Sequence, residues 1–242
     1  MRNTLLISLL AAGAPIAASA ACVATSGGER PHLVELYTSE GCSSCPPAER
    51  WLSGLRGKPG WAGLEYHVDY WDTKDWHDPW ADARFAKRQK LLAQQDRRGI
   101  VYTPQVAVDG HLWKDFPKAA PPQPVEADAP ALKLSAARTA ATLKVNIETA
   151  PGDGDERVFV ALAEDGLSNA VDGGENRGKT LRHDHVVRAF AGPLPMGTAN
   201  VELDLPKTLD LANAKVVAFV QDQHDGSVLQ VVPLALGACV SP

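Results

Sequence analysis

The sequence predicts an α/β domain over residues 21–116 and an all-β sandwich of immunoglobulin-like type over 131–242, with a signal peptide at 1–20 and a Pro/Ala-rich linker at 117–130. Three observations predict it. Leu33-Val34-Glu35-Leu36-Tyr37, a short apolar run, leads through Cys42-Ser43-Ser44-Cys45 into a segment with Trp51, Leu52 and Leu55 at helical spacing. Pro117-Lys118-Ala119-Ala120-Pro121-Pro122-Gln123-Pro124 then reads as extended linker. Past it the apolar period changes to two, in short runs separated by Gly, Pro, Asn and Asp.

Composition bounds the function. The chain has 242 residues, 45% of them hydrophobic and 22% charged, with a net charge of -5. That is a globular composition, and the acidic balance argues against a nucleic-acid partner because no broad basic surface is available. Lys87-Arg88-Gln89-Lys90 and Arg97-Arg98 read as the solvated face of a helix. Nothing beyond the N-terminus is long and apolar enough to span a bilayer. Arg2, the apolar stretch from Leu5 to Ala12 and the A-x-A site at Ala18-Ser19-Ala20 compose a secretory signal. The expected address is therefore periplasmic or secreted. Lipoprotein anchoring at Cys22 ranks second, because Ser19 stands where such signals carry an aliphatic residue. In an oxidising compartment Cys22 and Cys239, one near each end, are expected to form a structural disulfide.

Taken in order, Pro31 opens the first strand, and the Cys-x-x-Cys lies between that strand and its helix. Gly57-Lys58-Pro59-Gly60 is a turn. Leu64 to Tyr70 alternates as a second strand, with Leu64, Tyr66, Val68 and Tyr70 on one face. Pro79 to about Gln95 is an amphipathic helix closed by Gly99. Val101 to Val108 leads through Asp109-Gly110 into His111-Leu112-Trp113, a hairpin signal. In the second half the strands are Leu132–Leu134, Thr142–Ile147, Arg157–Leu162, Leu181–Phe190, Val201–Leu205, Val216–Val220 and Val228–Leu236.

Cys42 and Cys45 carry the chemistry. Two thiols this close in sequence reach one another, and a helix N-terminus favours the thiolate, so the pair is set for thiol–disulfide exchange. Two plainer readings compete. A zinc site needs a second ligand pair, and Cys22 and Cys239 sit near the chain ends. A local staple closes too short a loop to restrict the unfolded chain much. In the exchange reading Cys42, before the helix, attacks and Cys45 resolves.

Residues 31–113 resemble the thioredoxin fold, carried by the Cys-x-x-Cys after a strand and by Thr103-Pro104 before one. That resemblance implies a cis bond at Pro104 facing the cysteines. It also implies a buried acid beneath the pair, for which Glu35 stands nearest, one residue further from the cysteine than in thioredoxin. The plainer alternative for Glu35 is an edge or surface carboxylate on an alternating strand. A wider string resembles a bacterial family of secreted proteins filed as domain of unknown function 1223. Its pieces are Val34 to Glu49, His67-Val68-Asp69-Tyr70-Trp71-Asp72, Tyr102-Thr103-Pro104-Gln105, Glu175-Asn176-Arg177-Gly178 and His183-Asp184-His185-Val186-Val187. Two departures from thioredoxin stand out: Ser43-Ser44 between the cysteines, and Pro46-Pro47, which remove two N–H groups at the helix start.

Two further constellations remain. Asp69 to Trp80 mixes aromatics and acids, either as a docking platform or as ordinary packing. His183 and His185 fall on one face of a strand and are expected to be structural, since nothing nearby completes a metal site. The expected function is an exported thiol–disulfide oxidoreductase acting on protein thiols or disulfides, with Cys42, Cys45, Glu35, Thr103 and Pro104 at its site and neither cofactor nor metal. The alternatives are a non-enzymatic protein-binding module and a metal handler using Cys42, Cys45 and a histidine.

Overall fold

A computed structural model describes residues 22–27, 30–96, 99–114, 116–117, 129–152 and 154–237. The expected signal peptide, most of the linker and Cys239 lie outside the described residues. Ahead of the linker come β1 (Cys22–Thr25), β2 (His32–Thr38), α1 (Pro46–Ser53), β3 (Trp61–His67), α2 (Ala83–Gln95), β4 (Gln105–Val108) and β5 (His111–Leu112). After it come β6 (Leu132–Arg138), β7 (Thr142–Thr149), β8 (Glu156–Glu164), β9 (Leu167–Ala170) and β10 (Thr180–His183). The series ends with β11 (Val186–Leu194), β12 (Thr198–Asp204), β13 (Ala214–Asp222) and β14 (Val228–Ala235).

The predicted fold class is corrected here. There is no α/β domain joined to a separate sandwich: the protein is mostly β, with two α-helices among the described residues. One eight-stranded sheet, in the order β14-β13-β8-β11-β3-β2-β4-β5, runs through both halves, and β1 pairs with β6 in a second sheet, β1-β6-β7-β12. The join is β3 to β11, a short parallel contact at Glu65 and Val186 in which Glu65 N–H donates to His185 O at 2.8 Å. An open strand edge exposes unpaired N–H and C=O groups. At β3 that edge is completed by a strand from the far half.

Strand alternation sorts the layers. On β2, Leu33, Glu35 and Tyr37 face α2, and Val34 and Leu36 face α1 with Ala48 and Leu52. On β8, Phe159, Ala161 and Ala163 join the α2 side, whereas Val158, Val160 and Leu162 pack against Leu134, Val145 and Ile147 of the four-stranded sheet. Thus α1 and the small sheet cover one face of the large sheet, and α2 covers the other. The second predicted strand ends earlier than read: Leu64, Tyr66 and Val68 are core, but Tyr70 is exposed, within a 3₁₀ turn at Asp69–Trp71. The helix begins at Ala83, capped by the Asp82 carboxylate accepting from Arg84 N–H. Arg88, read as solvated, is buried.

The Asp109-Gly110 hairpin joins β4 to β5 with both residues at positive φ, 50° and 87°. The Asp109 carboxylate is held by Arg30, His32 and the Leu33 N–H. A Cβ on Gly110 would overlap the Gly226 carbonyl of the β13–β14 turn. Gly110→Ala is therefore expected to cost roughly 1–3 kcal/mol, combining the left-handed backbone with a backbone clash. A chemical-denaturation curve indistinguishable from the parent's would refute that.

Candidate functional site

Cys42 and Cys45 are joined in a disulfide, with Cα atoms 5.5 Å apart. Cys45 caps α1, and Pro46 and Pro47 fill its first two positions. The first N–H groups of the helix that exist, on Ala48 and Glu49, both donate to the Cys45 carbonyl. The helix start therefore aims no free amide at the Cys42 sulfur. Both cysteines are wholly buried, while Ser43 and Ser44 between them are exposed.

What buries them comes from far along the chain. The strap Val171–Gly178, between β9 and β10, crosses the Cys-x-x-Cys turn. Its Glu175 N–H donates to Gly41 O at 3.0 Å, and the Glu175 carboxylate accepts from Ser43 N–H at 2.9 Å and Ser43 Oγ at 2.6 Å. The Asn176 amide Nδ2 donates to Glu40 O at 2.9 Å and to Cys42 O at 2.8 Å, and Asn176 is itself fully buried. Gly173 and Gly174 permit the approach: a Cβ on Gly174 would sit 2.6 Å from Gly41 Cα, and one on Gly173 would overlap the Trp76 ring.

Behind the cysteines lies a buried cluster of carboxylates and imidazoles. Strand alternation puts Glu65 and His67 on the side opposite Leu64 and Tyr66. His67 Nδ1 bonds Asp78 Oδ2 at 2.8 Å and its Nε2 bonds Glu65 Oε1 at 3.0 Å. His183 Nδ1 bonds the same Glu65 oxygen at 2.8 Å, and its Nε2 meets Glu40 Oε1 at 3.3 Å. Glu49, one turn into α1, receives Thr38 Oγ at 2.6 Å on one oxygen and places the other 3.8 Å from His183 Nδ1. Burial alone would lower His183, but its bonds to Glu40 and Glu65 outweigh that and lift it to about 9. Burial would raise Asp78, but His67 draws it down to about 2. Burial and the neighbouring Glu65 charge push Glu49 up to about 7. Among the described residues, Glu65, His67 and His183 are the group able to share a metal ion, with ligand atoms all within 4.8 Å of one another.

The other predicted residues fall as follows. Glu35 is fully buried on the α2 face, its carboxylate taken by Arg88 Nε at 2.6 Å and Nη2 at 2.9 Å. The carboxyl on the α1 side, one turn from Cys45, is Glu49. The Thr103–Pro104 bond is cis, and Thr103 Oγ accepts from Trp71 Nε1 at 2.8 Å. Trp71 in turn packs against Gly41, so Thr103 connects to the cysteine turn through this indole. Cys22 is disulfide-bonded, and its predicted partner Cys239 lies outside the described residues. His183 and His185 do not share a strand face: the chain breaks at His185, at φ 64°, which turns to Asp165 and Lys215 instead. Trp76 is buried with Val171 and Leu181, and Trp80 stacks edge-on to His67 and His183. In the Asp69–Trp80 stretch the structure thus packs Trp76 and Trp80.

Sequence reading missed Asn176, Glu40, Glu49, Glu65, His67 and Asp78 as parts of one site. The available signal was a pair of polar residues, Glu65 and His67, alternating with core residues on a buried strand.

Among known proteins, a family model described as "Protein of unknown function (DUF1223)" matches residues 33–221. No curated protein matches the chain. The chain is similar to a crystal structure of an Agrobacterium tumefaciens protein at 24% identity and a TM-score of 0.57, covering 88% of this chain and 96% of that one. It is also similar to HBP35 of Porphyromonas gingivalis at 14% identity and a TM-score of 0.58, covering 88% and 77%. At these identities the likeness is one of fold.

Proposed function

Because the chain belongs to the DUF1223 family, whose description assigns no reaction, we propose from the site alone that it is an exported thiol–disulfide exchange protein acting through Cys42 and Cys45. The observation that carries the reading is the disulfide beneath a dedicated strap, with only two serines of the motif exposed. In one direction a substrate thiolate attacks Cys42 Sγ, the Cys42–Cys45 bond breaks, and its electron pair leaves on Cys45. A second substrate thiolate then attacks the substrate sulfur of the mixed disulfide and releases Cys42 as thiolate. The substrate gains a disulfide and the cysteines are reduced by two electrons; the reverse sequence reduces a substrate. Reduction potential relative to the compartment sets the direction.

Substrate contact is supported beside the cysteine turn. Tyr70, Ile100, Val101 and Tyr102 are four of the six large hydrophobics exposed among the described residues. Gln89 ties two of them together, accepting from Tyr70 OH and donating to Tyr102 O. Ile100 to Tyr102 run directly into Thr103-Pro104. An apolar surface here suits an extended, partly unfolded exported polypeptide. The signal-like N-terminal residues support the periplasmic or secreted address.

The full burial of both cysteines favours one rival, a structural disulfide in a non-enzymatic binding protein. The two readings part in Cys42→Ser and Cys45→Ser. Exchange predicts that exported Cys45→Ser accumulates partners covalently on Cys42, as higher bands on a non-reducing gel, and that Cys42→Ser does not. Equal, small stability losses in both variants, with no adducts and no turnover of a small disulfide by the parent, would leave the structural reading standing.

A further inference from the structure

We propose that Glu65, His67 and His183, with Glu49 as a fourth donor, form a binding site for a divalent transition-metal ion, zinc by its donor chemistry. The inner nitrogens, His67 Nε2 and His183 Nδ1, converge on a single Glu65 oxygen at 3.0 and 2.8 Å. The three ligand atoms all lie within 4.8 Å of one another, so inward shifts of about an ångström bring them to the roughly 3.3–3.6 Å separation of donors around one tetrahedral zinc ion with bonds of about 2.0–2.2 Å. The outer nitrogens point away to carboxylates, His67 Nδ1 to Asp78 and His183 Nε2 to Glu40. A metal-bound histidine characteristically donates its second N–H to such a carboxylate, which fixes the ring and its tautomer. Here both rings have that support.

A second observation points to a ligand. Glu65 Oε2 is fully buried and has no hydrogen-bond partner among the described residues. A carboxylate oxygen left bare in the interior is costly, and an ion held by both Glu65 oxygens, the Oε1 that meets the histidines and this Oε2, would satisfy it. Glu49 adds an oxygen 3.8 Å from His183 Nδ1. The charge balance agrees. Four carboxylates, Glu40, Glu49, Glu65 and Asp78, surround two imidazoles, and among the described residues no lysine or arginine pairs with them. Each imidazole sits between two carboxylates. Two imidazoles with carboxylates suit zinc among the divalent ions. The Trp80 ring, 5.2 Å from His67 and 4.8 Å from His183, supplies an apolar wall.

This site stands whether or not the cysteines exchange, because it uses neither sulfur. The test is metal analysis of the exported protein purified without chelator and kept oxidised, followed by zinc titration of the chelator-stripped protein. One equivalent of zinc per chain is expected, with a melting temperature several degrees above that of the stripped sample. Cobalt(II) substitution should give the visible bands of a low-coordinate nitrogen–oxygen site. His67→Ala and His183→Ala should lose the metal, and the Cys42→Ala/Cys45→Ala double variant should keep it. Since the histidine variants risk misfolding, the parent decides. Folded parent protein that retains no metal and shows no zinc-dependent shift overturns the site, as does metal that leaves with the cysteines.

Discussion

Arg88→Ala is expected to destabilise the protein by about 3–5 kcal/mol, because it leaves the Glu35 carboxylate charged and almost uncompensated in the interior. The guanidinium side chain is 7% exposed and the carboxylate 1%. Arg88 gives two hydrogen bonds to Glu35 and a third, at 3.3 Å, to Gln221. It also lies over the Phe159 and Phe219 rings at 5.0 Å and over Phe190 at 5.4 Å. Without it Glu35 is left with neutral tyrosine neighbours, among them the Tyr37 hydroxyl, which donates to it at 3.4 Å. The pair binds β2 to α2 and, through Gln221 and the phenylalanines, to β13 and β8, so it fastens the seam between the halves of the large sheet. Replacing both partners with apolar groups of similar volume, as in Glu35→Met/Arg88→Met, should recover much of the loss, since no lone charge then stays buried. Urea unfolding of the single and double variants checks this. A loss below about 1 kcal/mol for Arg88→Ala would mean that Glu35 finds water or a proton at little cost.

The same pair shows where sequence reading stops. A short apolar run located β2, period-two alternation located β3, the helical spacing of Trp51, Leu52 and Leu55 located α1, and Asp109-Gly110 located the hairpin of β4 and β5, because each signal lies within a few residues. Partners lie much further away. Nothing within Leu64–Val68 says that β3 pairs with Val186, so the sheet was read as two separate units. Arg88 looked solvated because it sits in Lys87-Arg88-Gln89-Lys90; only the helix rotation that exposes Lys87 and Lys90 turns Arg88 inward. Glu35 was placed beneath the cysteines because it is near them in sequence. A strand presents alternate residues to opposite faces, and Glu35 lies on the face away from α1. The candidate site draws on β2, α1, β3, the loop at Asp78, and β10. No short window contains more than two of its charged residues.

The strap makes a kinetic prediction. In Asn176→Ala the carbonyls of Glu40 and Cys42 lose the buried amide that bonds both, although Cys42 O keeps the Cys45 N–H at 3.2 Å. The Lys179 ammonium, which donates to Asn176 Oδ1 at 2.9 Å, is freed as well. Losing buried hydrogen bonds of this kind costs roughly 1–3 kcal/mol, and the cost falls on the closed strap, because the open strap has water for those groups. The population of open strap should then rise roughly 5- to 150-fold. Reduction of Cys42–Cys45 by a small thiol, followed by alkylation and mass measurement, should accelerate by the same factor if opening is a fast equilibrium before attack. Glu175→Gln should do less, because its contacts to Ser43 are at the exposed surface. Gly110→Ala is the control: it weakens the fold far from the cysteines and should leave the reduction rate near the parent's. If Gly110→Ala accelerates reduction as much as Asn176→Ala, the disulfide is reached by global unfolding. If Asn176→Ala is reduced at the parent's rate, the strap does not gate the cysteines.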